Sequence, residues 1–124
     1  MVEIEVANRA DAQLDVEAAR ALIRAVLDAE GIKDGEVGLQ LVEPDEIRAL
    51  KLEHLGIDEE TDALAFPIDG LDALPEGLPR QLGDVVLCPE VVGTAWRSPL
   101  VHAVLHLVGY DHGPDMEARE RMHA

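Results

Sequence analysis

The chain opens with Val2-Glu3-Ile4-Glu5-Val6, apolar and acidic residues in strict alternation, the period-two pattern of a strand with one face buried and the other in water. From about Asp15 to Glu30 the period changes. Val16, Ala19, Leu22, Ile23, Val26 and Leu27 recur at helical spacing, and Gly31 supplies the stop. Val37, Leu39 and Leu41 then alternate again. Strand, helix, strand in that order is how two parallel strands are joined, since a parallel pair needs a long crossover.

The pattern continues along the chain. Pro44 opens a second helix carrying Ile47, Leu50 and Leu52 and ending near Gly56. Ala63, Leu64 and Phe66 before Pro67 form a short buried strand, and Val85, Val86 and Leu87 another. Between these strands Pro75, Gly77 and Pro79 break the stretch from Ile68 to Leu82 into a loop. Pro89 to Arg97 reads as a connection or one helical turn. Ser98-Pro99 reads as an N-cap followed by a proline at the first helical position. The run Leu100, Val101, Val104, Leu105, Leu107 and Val108 would bury the helix that follows. Gly113-Pro114 starts a last short helix through Met122. The expectation is an α/β (α+β) fold, a small mixed sheet of about four strands covered by helices, in one domain over residues 1–124.

Composition sets outer bounds. The chain has 124 residues, 48% of them hydrophobic, with only one Phe, one Tyr and one Trp, so its core is built from Val, Leu, Ile and Ala. The single Cys88 excludes an internal disulfide and reads as a small buried hydrophobe in a reducing compartment. No stretch approaches the roughly 18 apolar residues of a membrane span. The acidic N-terminus lacks the basic region of a signal peptide, so a cytoplasmic location is expected. With 26 acidic and 10 basic residues the net charge is −16, which opposes non-specific nucleic-acid binding at long range. Local cations remain. Arg80 and Arg97 flank segments near the histidine region, Arg20 and Arg24 share a predicted helix face, and a divalent metal would itself be a strong local charge.

The chemistry is concentrated in His102-Ala103-Val104-Leu105-His106-Leu107-Val108-Gly109-Tyr110-Asp111-His112. Residues four apart share a helix face, so His102 and His106 can aim their rings at one point. Gly109 can take the left-handed conformation that ends a helix, letting the chain double back and bring His112 to a third position. Three neutral imidazoles leave a fourth position open for water, the arrangement of a catalytic rather than a structural zinc. The metzincin peptidases share this spacing, but a glutamate general base follows their first histidine. Here that residue is Ala103, which makes proteolysis a minor option. Asp111 has two readings, as a carboxylate accepting from a ligand imidazole or as a cap of the final helix. His54 and His123 fit no ligand spacing and read as surface residues. Asp62 reads as a turn residue or as one lining a cleft.

Other short motifs extend the pattern. Thr61-Asp62-Ala63-Leu64-Ala65-Phe66-Pro67 and Leu82-Gly83-Asp84-Val85-Val86-Leu87, together with the three histidines and Gly109-Tyr110-Asp111-His112, resemble the YbeY family, bacterial endoribonucleases that take part in maturing ribosomal RNA. The resemblance covers most of the chain. It implies a mixed α/β fold with one zinc per chain held by His102, His106 and His112, at the bottom of a cleft that admits single-stranded RNA. It also implies phosphodiester hydrolysis by a metal-bound water or through a metal-polarised phosphate. Ribosomal RNA, ribosomal proteins and assembly factors are the implied partners. The chain departs from the family at Leu55, where an arginine is usual, and at Ala65, where the motif has serine. Arg48 and Lys51 are the nearby cations. The stretch from Asp84 to His102 is also shorter than is typical. Two other readings stay open, a binding factor in ribosome assembly and a metallohydrolase of another substrate.

Overall fold

The alternating N-terminal residues do form a strand, and the order of elements follows the sequence pattern. The computed structural model describes residues 2–10, 13–59, 61–69, 78, 80–110 and 114–123. The elements are β1 (Val2–Asn8), α1 (Val16–Ala29), β2 (Gly35–Leu41), α2 (Pro44–Leu55), β3 (Ala63–Pro67), β4 (Gln81–Leu87), α3 (Pro89–Val92), α4 (Arg97–Leu107) and α5 (Pro114–His123). The strands make one open sheet in the order β1-β2-β4-β3. β1 runs parallel to β2 with Ile4 opposite Val37, β2 runs parallel to β4, and β3 closes the edge antiparallel to β4 with Ala65 opposite Val85. The expected mixed sheet is therefore present.

Period-two patterning sorts the side chains between the faces. Val2, Ile4, Val37, Leu39, Leu41, Val85 and Leu87 join Ile23 and Leu27 of α1 and the apolar residues of α4 in the main core. On the other face α2 lays Ile47 over Val42, Leu64, Val86 and Cys88, a smaller cluster in which the cysteine is fully buried as expected. Helices α1 and α4 thus pack side by side under one face, and α2 covers part of the other. Asp15 caps α1, its Oδ1 accepting from Ala18 N at 3.0 Å.

Strand β4 starts earlier than its apolar run suggests. Gln81 and Leu82, expected to end the loop, are its first residues, while residues 70–77 and 79 of that loop lie outside the described residues. The early start needs Gly83. A Cβ there would meet Phe66 O at 2.4 Å and Leu107 Cδ2 at 2.8 Å, and φ is +141°, so glycine lets β3 and α4 close on β4 together.

One detail corrects the sequence reading. Helix α4 begins at Arg97 with Trp96 at its N-cap, so Ser98 and Pro99 are its second and third residues, not cap and first residue. The first intrahelical bond is donated by Leu100 N to Trp96 O, and Pro99 lies among positions whose N–H has no helical acceptor. Leu52, one of the apolar residues that α2 carries, is 48% exposed, and Ile47 is the one fully covered residue of that helix. Arg20 and Arg24 do share a face. Their Nε atoms donate to Ile4 O and Val2 O, each at 3.3 Å, and so cover the backbone of the edge strand β1. Among the described residues no helix is long and apolar enough to cross a membrane.

Candidate metal centre

Helix α4 is the platform of the site. Leu100, Val101, Val104, Leu105 and Leu107 are all buried, and full burial of a Leu or Val side chain is worth about 1.5–3 kcal/mol. That anchoring against β3, β4 and α1 fixes the helix, leaving His102 and His106 half-buried one turn apart. Their Nε2 atoms lie 3.1 Å from each other, with the rings nearly perpendicular at 80°. The four-residue spacing has done what it predicts.

The pair has an orientation as well as a distance. His102 Nδ1 lies 2.5 Å from Glu120 Oε1 on α5. A carboxylate only accepts, so Nδ1 carries the proton and Nε2 keeps its lone pair toward His106. Two imidazole nitrogens this close have either a hydrogen between them, the Nε2–H of a neutral His106 donating to His102 Nε2, or a shared cation. Two nitrogens about 2.0–2.1 Å from one tetrahedral zinc would sit about 3.3 Å apart, so the pair fits that ion within a few tenths of an ångström. A carboxylate behind a ligand imidazole is the usual outer support of such a site.

Glu120 was not singled out by the sequence reading, which offered Asp111 for that role. Spacing rules act within one helix, whereas Glu120 arrives from the next helix, 18 residues on from His102. Asp111 and His112 lie outside the described residues. Among the described residues no group of three His, Cys, Asp or Glu side chains forms a metal cluster, and the convergence extends to two imidazoles.

The turn after the pair is described as far as Tyr110. Gly109 has φ +101°, its N–H donates to His106 O at 3.1 Å, and Tyr110 N–H donates to Leu105 O at 3.1 Å. This pair of bonds is a Schellman end, the helix stop expected of that glycine. Beyond it the Tyr110 hydroxyl donates to Glu30 Oε2 at 3.2 Å and accepts from Arg119 Nε at 3.1 Å. The Tyr110 hydrogen bond first, and the Glu30 charge second, hold the Arg119 guanidinium above its ordinary value.

The remaining candidates fall elsewhere. His54 is exposed on α2, its ring 4.7 Å from Phe66, and belongs to the opposite side of the sheet from α4. His123 is in α5. Asp62 Oδ1 accepts from Ala63 N at 2.7 Å, which fits the turn reading. Arg48 pairs with Asp58 and Lys51 with Glu59, both at 2.7 Å. The Arg48 hydrogen bond and charge hold Asp58 below the usual carboxylate range. Leu55 is 56% exposed at the end of α2. A cavity of about 500 Å³ adjoins the histidine pair through Glu120 and is walled by Leu22, Ala95, Val101, Ser98 and Arg97. The Arg97 guanidinium sits 4.5 Å from the centre of the Trp96 ring, a cation–π contact that steadies it.

A mixed α/β domain with paired imidazoles on a buried, glycine-ended helix defines the class of scaffold. The chain belongs to the Endoribonuclease YbeY family, whose profile matches residues 4–124. It is similar to the Endoribonuclease YbeY of Salinispora tropica, 39% identical across 96% of this chain and 88% of that one. The Endoribonuclease YbeY of Halorhodospira halophila is 38% identical across 89% of this chain and 77% of the relative. A Thermotoga maritima protein solved in solution superposes with a TM-score of 0.61, at 26% identity over 99% of this chain and 86% of that one.

Proposed function

We propose that this protein is a single-strand-specific, metal-dependent endoribonuclease of ribosomal RNA maturation and ribosome biogenesis, acting in the cytoplasm. His102, His106 and His112 would hold one zinc per chain. The observation that carries the reading is the 3.1 Å approach of the His102 and His106 Nε2 atoms, with Glu120 fixing the first ring from behind. The family supplies the reaction class, since the relatives are named endoribonucleases.

Zinc in such a site supplies Lewis acidity at a phosphodiester and makes water a usable nucleophile at neutral pH. The chain's own residues do the rest. Glu120 keeps the His102 proton on Nδ1, so the lone pair on Nε2 faces the site in every turnover. The buried apolar flank of α4 keeps both rings from drifting, which a positioned site requires. Ala103 is buried in the core and offers no carboxylate general base, which argues against peptide hydrolysis. Arg97, exposed beside the cavity next to Glu120, is a cation placed to meet an RNA phosphate, with the buried Trp96 ring behind it.

The test is cleavage of a single-stranded RNA and its duplex by the wild type and His106→Ala, with and without chelator. Cleavage confined to the untreated wild type on the single strand supports the reading. Cleavage that survives both chelator and substitution contradicts it. A second reading has its own observation. Position 55 is Leu where the family resemblance implies an arginine, and Arg48 and Lys51 are engaged with Asp58 and Glu59. A protein that binds RNA or ribosomal proteins during assembly without cutting would fit those features, and it would bind the same RNA intact.

A further inference from the structure

Two neighbouring residues of α5 reach in different directions. Glu120 meets His102 Nδ1, while Arg119 turns toward the end of α1. There its Nη2 lies 3.1 Å from Glu30 Oε2 and its Nε donates to the Tyr110 hydroxyl, which itself donates to that same Glu30 oxygen. Three elements therefore meet at one carboxylate: the C-cap of α1, the turn after α4, and α5. The Glu30 side chain is only 6% exposed and Arg119 34%, so the carboxylate end of the pair is shielded while the guanidinium end meets solvent.

We propose that Glu30, Arg119 and Tyr110 act as a clamp that positions the metal centre, by fixing the roll of α5 so that Glu120 stays on His102. The inference rests on the reading of the histidines as a metal site. Its geometry is simple. Consecutive helical residues differ by about 100° around the axis, so a fixed direction for Arg119 fixes the direction of Glu120. The helix is strongly polar, and Met116 is its buried apolar anchor among the described residues. One apolar anchor permits rotation about itself; a second, polar attachment at Arg119 removes it. Tyr110 adds the other end of the device. Held by its backbone to Leu105 and by its hydroxyl to Glu30, it fixes the start of the turn that leads to His112. These are positioning residues, acting through Glu120 and the turn.

The experiment uses the full chain and zinc alone. Zinc affinity is measured by competition with a chromogenic chelator, ring ¹⁵N spectra of the metal-free protein report the His102 tautomer, and thermal melts confirm that each variant is folded at the assay temperature. Tyr110→Phe and Arg119→Met are expected to lower zinc affinity by about tenfold, the lower end of what outer supports of a metal site contribute. His102 should lose its single tautomer in both variants, and Arg119→Lys should recover part of the affinity. Unchanged affinity and an unchanged His102 spectrum in both variants would overturn the clamp. So would a lowered melting temperature with the His102 spectrum intact, which is the mark of a merely structural role. Failure of the underlying metal reading is separately visible, because then wild type and His106→Ala would bind zinc alike.

Discussion

At the residue scale the arrangement turns on which nitrogen of His102 carries the proton. Glu120 sits on Nδ1, so Nε2 faces His106. Glu120→Ala removes the acceptor and lets the ring take either tautomer, and zinc affinity should fall roughly 10- to 100-fold. Chelator competition checks this, and unchanged affinity would move the supporting carboxylate elsewhere. A second residue-scale prediction concerns position 55. Leu55 is largely exposed, so Leu55→Arg costs the fold little, and it adds a guanidinium at the end of α2 that can hold an RNA phosphate where the strand passes it. Metal-dependent RNA cleavage should rise while zinc affinity stays constant. Brisk wild-type cleavage that arginine does not improve would mean that another cation already serves. The histidine pair was legible in the sequence because a four-residue helical spacing is a local rule. Glu120 was not, because its pairing depends on how α5 packs back on α4, and nothing local marks it among 26 acidic residues.

The elements place two glycines under different constraints. At Gly109 a Cβ would meet nothing within 4 Å among the described residues, yet φ is +101°, so Gly109→Val is strained by its backbone conformation. The cost is about 1–3 kcal/mol, and the turn toward His112 should shift and lower zinc affinity. At Gly83 backbone strain and steric conflict coincide, and Gly83→Ala should destabilise the protein by roughly 2–5 kcal/mol in denaturant unfolding. A loss under 1 kcal/mol would show that β3 and α4 can separate from β4 with little penalty. The sequence signals differed in range here too. Gly109 ends an apolar helix and announces itself, whereas Gly83 is needed because three elements meet there, a tertiary fact. The start of α4 was misplaced for a related reason. Ser98-Pro99 has the composition of a cap, but a proline is also tolerated at the third helical position, and packing of Trp96 decided between them.

For the whole molecule the net charge of −16 and the proposed RNA substrate pull in opposite directions. Long-range repulsion leaves binding to a few local contacts, and Arg97 beside the cavity is the leading one. Arg97→Ala should weaken binding to single-stranded RNA about equally for all sequences and lower the slope of log affinity against log salt by about 0.7. An unchanged slope would remove Arg97 from the interface. The layered fold was readable because periods of two and 3.6 alternate cleanly. The strand order was not, since placing β4 between β2 and β3 depends on contacts far apart in the chain.

The central claim is that His102, His106 and His112 hold one metal ion, and zinc content per chain tests it most directly. Wild type and His106→Ala, purified in parallel and dialysed against the same zinc buffer, are compared by elemental analysis. The account predicts close to one zinc per wild-type chain and almost none in the variant. Equal zinc in the two proteins would contradict it.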